Sequence, residues 1–269
     1  MTNAAARLRA MHSGPLPLVL PNVWDPVSAR AFADAGFAAL ATSSSAMAAL
    51  LGYADGATPA DEMFDAIARI TRSVDVPVTA DVESGYGFRA AELVLRLAEC
   101  GVVGCNLEDS EQATRTLTDP ARHADYVAAV RSESGSELVI NARVDVYVRP
   151  PTADRLRAAS AGPSDSGGDA KRAADAAVAR GNAYLAAGAD CVYPILAPAA
   201  TLPELVRRID GPVNAMYRPG GPTLAELAAF GVARITFGGG LHAEVTRHLR
   251  DEAGALAGEV AGLAGTADL

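Results

Sequence analysis

The chain has 269 residues, half of them hydrophobic, and its 23 basic and 32 acidic side chains give a formal charge of −9. A composition this apolar can bury a large core, which excludes disorder for the bulk of the chain. An acidic surface repels phosphate groups, so we expect no nucleic-acid partner. Because the sequence has no membrane-length apolar run, no signal-peptide core and no paired cysteine spacing, we expect a soluble cytoplasmic protein.

Short apolar runs alternate along the chain with longer, alanine-rich amphipathic stretches, a pattern typical of parallel βαβ units. Eight such units predict one α/β domain over 1–269, a (β/α)8 TIM-type barrel at about 16–240. The alternative is an open doubly wound sheet, but the first strand is followed by Pro21–Pro26 rather than a glycine-rich phosphate motif. The predicted strands are Leu16–Val23, Ala38–Ser43, Val76–Glu83, Val102–Glu108, Leu138–Tyr147, Asp190–Leu196, Pro212–Tyr217 and Arg234–Phe237. The predicted helices lie near 26–35, 59–73, 89–100, 119–132, 170–187, 201–209, 222–230 and 241–262.

Two segments interrupt this alternation. Residues 149–170 hold three prolines and a Ser/Gly-rich tract, which predict a loop with a short helical turn at Ala153–Ala159. Residues 110–120 form a second irregular connection after the fourth strand. A surface insertion is the preferred interpretation of the longer loop, and a lid that closes over the site is the alternative.

Polar residues mark the carboxyl ends of the strands, where a barrel of this kind places its chemistry. Side chains alternate along a strand, so Asp81 and Glu83 share one face of the third strand. Glu108 ends the fourth strand, and Arg143 shares a face of the fifth strand with Asn141 and Asp145. Taken singly, each acid is best explained by a loop cap or an ion pair. Converging carboxylates repel each other unless a cation lies between them, and hard oxygen ligands favour Mg²⁺, with Mn²⁺ as the alternative. Arg143 offers a planar fork for a carboxylate or phosphonate.

The second strand ends in a run of small hydroxyl residues, Ser43, Ser44 and Ser45. Small side chains let a ligand approach the backbone, and amides at the start of a helix can bind an oxyanion, although a serine run is also a common helix cap. Asp55 lies in the following turn. Asn214, on the seventh strand, is a candidate either for substrate contact or for a turn-stabilising amide.

The histidines and cysteines offer few catalytic candidates. His12, His123 and His248 are predicted on the surface, and His242 near the barrel mouth is a weak candidate for an acid. Cys105 lies on the strand face opposite Glu108, so we expect it in the core.

Several ordered segments, covering roughly residues 16–240, resemble the phosphoenolpyruvate mutase/isocitrate lyase superfamily. The run from Asp81 to Gly87 is the most specific of them. The segments are Trp24–Arg30, Thr42–Ser45, Gly52–Asp55, Asp81–Gly87, Leu107–Asp109, Asn141–Arg143 and Ala187–Asp190.

The resemblance implies an α/β barrel whose C-terminal helix is exchanged with a neighbouring subunit, usually in a tetramer. A homo-oligomer, dimer or tetramer, is therefore expected. The resemblance also implies Mg²⁺ bound directly by Asp81, with Asp55, Glu83 and Glu108 acting through metal-bound waters.

The resemblance further implies where a substrate would bind. It places Ser43 and the amides of Ser44 and Ser45 on a substrate carboxylate or enolate oxygen, with Arg143 nearby. Members of the superfamily cleave or rearrange bonds next to a 2-oxo acid through an enolate or a related oxyanion.

Departures from the family pattern narrow the expected reaction. After Asp109 the chain lacks both the Lys-Lys-Cys-Gly-His lid of the isocitrate and methylisocitrate lyases and the lid of the mutases. Tyr193–Leu196 holds no histidine or glutamate where some members have one, and Glu83 replaces an aspartate common in the mutases. True isocitrate lyase and phosphonate synthesis are therefore not the expected activities.

We expect a Mg²⁺-dependent lyase that cleaves a C–C bond in a small 2-oxo or 2-hydroxy dicarboxylate, by oxaloacetate-like decarboxylation or retro-aldol cleavage through an enolate. Without a lid acid the enolate can take its proton from water, which favours decarboxylation. Two alternatives stay open, namely a phosphonopyruvate hydrolase or mutase-like P–C bond enzyme and a non-catalytic 2-oxo acid binder. The candidate catalytic residues are Ser43, Glu108 and Arg143, and the candidate substrate contacts are Ser43, Ser44, Ser45, Asp81, Arg143 and Asn214.

Overall fold

The computed structural model describes residues 4–111, 114–149 and 166–266. Helices surround a core of parallel strands, in the alternation that the sequence predicts. The helices are α1 (Ala4–Ala10), α2 (Pro26–Asp34), α3 (Ser44–Leu51), α4 (Ala60–Thr71), α5 (Ala90–Glu99), α6 (Pro120–Ser134), α7 (Ser166–Ala186), α8 (Leu202–Arg208), α9 (Leu224–Ala229) and α10 (Gly240–Thr266). The strands are β1 (Leu18–Leu20), β2 (Asn22–Val23), β3 (Leu40–Thr42), β4 (Val78–Asp81), β5 (Gly104–Glu108), β6 (Ser110–Glu111), β7 (Thr116–Leu117), β8 (Val139–Val144), β9 (Cys191–Pro194), β10 (Asn214–Met216) and β11 (Arg234–Thr236).

The parallel pairings connect all eight strand positions of the predicted (β/α)8 barrel, each of which is called a stave below. Six strands pair in the order β2-β3-β4-β5-β8-β9, and three pair in the order β1-β11-β10. Strands β1 and β2 are one stave, interrupted at Pro21, which has no N–H to donate to a ladder. A parallel bridge between Val192 and Val213 connects β9 to β10. The sixth and seventh staves are thus joined by a single bridge, the smallest number of paired residues between neighbouring staves.

Asn22 ties the first, second and last staves together at the mouth of the barrel. Its side-chain amide donates to the carbonyl of Thr42 (2.7 Å), and its Oδ1 accepts from the amides of Phe237 (2.7 Å) and Gly238 (3.0 Å). These bonds satisfy backbone groups that the ends of the strands would otherwise leave unpaired.

Helix α1, which the sequence did not predict, packs against β8 and the strands of the first staves. Leu8 is fully buried in a cluster with Leu18, Leu20 and Val139. Arg9 pairs with Asp190 (Nε–Oδ1 2.6 Å), a contact that reaches 181 residues along the chain. The helix has only two buried residues, so its apolar periodicity was too short to recognise.

Three further elements differ from the predicted ones. Helix α3 was not predicted, and an antiparallel pair, β6 with β7, occupies the predicted irregular connection at 110–120. Helix α7 begins at Ser166, four residues before its predicted start, so the end of the predicted loop 149–170 is helical. The predicted turn at Ala153–Ala159 lies outside the described residues.

The prediction that His12 and His123 lie on the surface was wrong. They are only 6% and 4% exposed, and the His123 ring packs edge-on against Tyr184 with centroids 4.7 Å apart. Burial penalises the charged imidazole and lowers the pKa of each histidine to about 4. Cys105 is fully buried, as predicted.

Helix α10 carries an apolar row that the rest of the described chain leaves uncovered. Val245, Leu249, Leu256 and Val260 are 55–67% exposed and recur at intervals of four and seven residues, which places them on one face. Among the described helices, none combines the length and apolarity needed to cross a membrane.

Candidate active site

All nine residues that the sequence nominates line one cavity of about 300 Å³ at the carboxyl ends of the strands. They come from four strands, β4, β5, β8 and β10, and from the β3–β4 and β4–β5 connections, so only the folding of the barrel brings them together. They are Ser43, Ser44, Ser45, Asp55, Asp81, Glu83, Glu108, Arg143 and Asn214.

Asp81, the last residue of β4, is held by neighbouring staves on both sides. Its Oδ2 accepts from the hydroxyl (2.7 Å) and amide (3.2 Å) of Ser44 at the start of α3. Its Oδ1 accepts from Nδ2 of Asn106 (2.9 Å), and Oδ1 of Asn106 accepts from Nδ2 of Asn141 (2.9 Å). The carboxylate is therefore fixed in direction before any ligand arrives, and the Ser44 amide already has a partner.

Glu83 and Glu108 are almost fully buried, at 3% exposure each. Burial, together with the negative charges of Asp81 and Asp55, raises the pKa of Glu83 to about 7. Burial also raises the pKa of Glu108 well above its ordinary value, against the opposing charge of Arg143. The crowding of these buried carboxyl groups therefore opposes their ionisation, and a bound cation would favour their charged forms.

Arg143 is already engaged by protein carboxylates on three of its nitrogens. Its Nε and Nη2 donate to the two oxygens of Asp145 (2.6 and 3.0 Å), and its Nη1 donates to Glu108. Asp145 is completely buried, and although burial favours its neutral form, the Arg143 guanidinium holds its pKa below the ordinary range. The predicted fork for a substrate anion therefore serves as an internal ion pair in this structure.

The remaining nominated residues occupy the walls of the cavity. Ser43 caps α3, and its hydroxyl lies 3.2 Å from that of Ser45. Asp55 is exposed, in the turn after α3. Asn214 is fully buried; its Oδ1 accepts from the hydroxyl of Thr236 (3.2 Å), and its Nδ2 has no hydrogen-bond partner.

Asp109, which pairs with Arg180, is hydrogen-bonded to the backbone of Asp145 and so supports the Arg143–Asp145 pair. Oδ1 of Asp109 accepts from the amide of Asp145 (2.8 Å), while its Oδ2 accepts from Arg180 (2.8 Å) and the hydroxyl of Tyr184 (2.8 Å). The hydroxyl of Ser110 donates to Asp145 (2.5 Å). Helix α7 is thereby connected to the floor of the site through buried hydrogen bonds.

The donor set fits a hard divalent cation in its chemistry. Within the described ranges, no three His, Cys, Asp or Glu side chains converge closely enough to form a preformed metal-binding group. Mg²⁺ does not need one, because it usually binds through one or two carboxylates and keeps several waters. Asp81, Glu83 and Glu108 line the same cavity, and the neighbouring carboxylates raise the pKa values of Glu83 and Glu108. A bound cation would stabilise their charged forms.

Two cationic side chains in the cavity wall were not predicted from the sequence. Arg234, at the start of β11, and Arg149, after β8, both line it. The signal for Arg234 was present: a charged residue that begins an otherwise apolar strand, on the same face as Thr236. Arg149 is the first residue of the predicted loop 149–170.

Comparison with known proteins agrees with this fold. A solved structure from Burkholderia cenocepacia J2315 with a provisional phosphonomutase name superposes with a TM-score of 0.81, at 40% identity over 93% of this chain and 98% of that one. An uncharacterized protein of Mycobacterium tuberculosis (strain CDC 1551) is 32% identical over 85% of this chain and 80% of its own length. A Corynebacterium glutamicum protein named "Probable 2-methylisocitrate lyase 2" is 30% identical over 71% of this chain, which spans 59% of that protein. Residues 8–257 match the sequence model described as phosphoenolpyruvate phosphomutase, so the chain belongs to the phosphoenolpyruvate mutase/isocitrate lyase superfamily.

Proposed function

We propose that this protein is a Mg²⁺-dependent lyase that cleaves a C–C bond in a small 2-oxo or 2-hydroxy dicarboxylate through an enolate. Superfamily membership, with a relative named as a lyase, supports an enzyme of the carbon–carbon lyase type. The observation that carries the proposal is the single cavity in which Asp81, Glu83 and Glu108 face the start of α3. Its volume, about 300 Å³, is at the lower end of ligand cavities and suits a small acid.

Asp81 would hold the metal directly, and Asp55, Glu83 and Glu108 would hold it through water. A bound divalent ion would supply Lewis-acid stabilisation of the negative charge that develops on the carbonyl oxygen when the adjacent bond breaks. The Asn106 and Ser44 bonds to Asp81 keep its carboxylate aimed, which lowers the cost of reorganisation during the reaction.

The chain's own groups would bind and orient the substrate. The Ser45 amide and the Ser43 and Ser45 hydroxyls lie at the positive end of α3, where they can donate to a carboxylate or enolate oxygen. Arg143 contributes positive charge while paired with Asp145. Glu108, with a raised pKa, is the candidate group for holding a proton in the cavity.

The metal assignment is tested by titrating Mg²⁺ into the EDTA-treated protein with isothermal calorimetry and by assaying oxaloacetate and 2-hydroxy diacids for cleavage. Asp81→Asn should abolish both Mg²⁺ binding and turnover. The matched control is Asp34→Asn, an exposed carboxylate at the end of α2, which should change neither. Activity that survives EDTA, or Mg²⁺ affinity unchanged in Asp81→Asn, would contradict the proposal.

A second candidate, cleavage of a P–C bond in phosphonopyruvate, is favoured by the 40% identical structure with a phosphonomutase name. Release of inorganic phosphate from phosphonopyruvate, without cleavage of diacids, would select it. The remaining alternative is a binder of 2-oxo acids without catalysis. Tight retention of a 2-oxo acid with no product after hours would select that alternative.

The exposed apolar row of α10 supports a homo-oligomer in which this helix packs on a neighbouring subunit. Val245, Leu249, Leu256 and Val260 would otherwise leave a continuous apolar face in water. A dimer or tetramer that covers this face is the assembly we propose.

A further inference from the structure

Arg234 is a buried cation without a protein counter-ion in the part of the chain that the structure describes. It is 1% exposed, and its Nε and Nη1 have no hydrogen-bond partner. Its position on β11 places its side chain on the inner face of the barrel, with Thr236, and both residues line the catalytic cavity. Arginine stays protonated throughout the working pH range, so this site carries a full positive charge.

The surroundings of Arg234 leave that charge uncompensated. The groups that act on it electrostatically include Cys191, Tyr193, Cys105 and His12, which are neutral at pH 7, and Asp81. Both oxygens of Asp81 already accept hydrogen bonds from Ser44 and Asn106. A buried charge with unmade hydrogen bonds is strongly unfavourable, so an anion that binds there gains both the charge and the free donors.

A second free donor lies beside it. Asn214 is the residue opposite Arg234 in the β10–β11 ladder, and its buried Nδ2 also has no hydrogen-bond partner. Arg143, by contrast, has three nitrogens committed to Asp145 and Glu108. In addition to the donors at the start of α3, a ligand anion can therefore use unpaired donors on β10 and β11, whereas Arg143 on β8 is already paired.

We propose that Arg234, with Asn214, forms a second anion subsite that binds a second oxyanion group of the ligand. This inference rests on the proposed function, because it assigns the second acidic group of a doubly charged substrate. A carboxylate and a phosphonate share the required chemistry, since both accept hydrogen bonds from a guanidinium through two oxygens.

The test compares anions with one and two acidic groups by isothermal calorimetry in the presence of Mg²⁺. The probes are pyruvate, malonate and phosphonoacetate, and the variants are Arg234→Gln and the exposed control Arg30→Gln. Arg234→Gln should weaken malonate or phosphonoacetate binding by at least about tenfold and pyruvate binding by less than about threefold. The probe that loses more affinity identifies the oxyanion.

Equal losses for all three probes, no loss for any, or a wild-type protein that binds neither malonate nor phosphonoacetate would overturn the subsite. Its failure is distinguishable from failure of the lyase proposal. If Arg234→Gln selectively loses affinity for malonate or phosphonoacetate but the wild-type protein cleaves no diacid, only the lyase proposal is contradicted. If the wild-type protein cleaves diacids but Arg234→Gln binds all three probes with unchanged affinity, only the subsite proposal is contradicted.

Thermal unfolding separates an anion subsite from a structural role. Without ligand, Arg234→Met should melt no lower than the wild type, because it removes an uncompensated buried charge. The rise in melting temperature that malonate gives the wild type should be lost. A variant that melts lower without ligand yet keeps the malonate-dependent rise would show that Arg234 is structural. If Arg234→Met does not fold, Arg234→Lys, which retains the charge with fewer donors, should bind malonate with intermediate affinity.

Discussion

Replacing Asp145 with asparagine tests whether the buried ion pair holds the cavity together. Asp145 is fully buried and accepts two hydrogen bonds from Arg143, which is itself 13% exposed. Breaking a buried pair by removing one partner typically costs about 3–5 kcal/mol, because the other charge stays buried. Arg143 keeps its bond to Glu108, so we expect the lower end of that range, about 3 kcal/mol.

At roughly 2–4 °C per kcal/mol for a domain of this size, Asp145→Asn should lower the melting temperature by about 6–12 °C. The matched control is Asp175→Asn. Asp175 also pairs with two cations, Lys171 (2.8 Å) and Arg208 (2.7 Å), but it is 42% exposed. Exposed pairs contribute about 0–1 kcal/mol, so the control should melt within about 4 °C of the wild type. Circular dichroism melts that show equal losses for the two variants would refute the reasoning.

Three further outcomes are expected. The pKa values of His12 and His123 lie near 4 rather than 6.5, so the folded state binds fewer protons, and each histidine should cost about 3 kcal/mol of unfolding free energy between pH 7 and 4. Urea unfolding should therefore show a smaller acid loss in His123→Gln, while the exposed control His248→Gln behaves like the wild type. A Cβ on Gly85 would lie 2.5 Å from the Tyr126 hydroxyl at a φ of +87°, whereas one on Gly36 (φ +93°) meets nothing within 4 Å. Gly85→Ala should then destabilise more than the roughly 1–2 kcal/mol expected of Gly36→Ala, and adding Tyr126→Phe should restore part of the difference; no restoration would argue against the contact. Leu249→Asp with Val260→Asp should reduce the molar mass measured by light scattering to that of a smaller assembly, and an unchanged mass would mean that this face of α10 is not the interface.

The local pattern of residues predicted much of the lining of the candidate site. Strand alternation predicted the direction of Asp81, the last residue of β4, and of Glu108 on the next strand, because side-chain direction along a strand depends only on position. Glu83 also lines the cavity, but it follows the end of β4 with a φ of +50°, so strand alternation does not account for its position. The βα alternation likewise predicted the barrel and most element boundaries to within a few residues. These inferences need no knowledge of what each segment packs against.

Partners and burial depended on the closed barrel. Asp145 on the same strand and Glu108 on the neighbouring strand were candidate partners of Arg143, and only the packed structure shows that both pair with it. The burial of His123 against Tyr184, of Leu8 beneath the first staves and of Arg234 inside the ring follows from contacts between segments far apart in the chain. The amino-acid order by itself determined the faces of the strands, since that period is a local property of the backbone. The tertiary structure decided which charged side chains form ion pairs, because ion pairing depends on the distance between side chains in space.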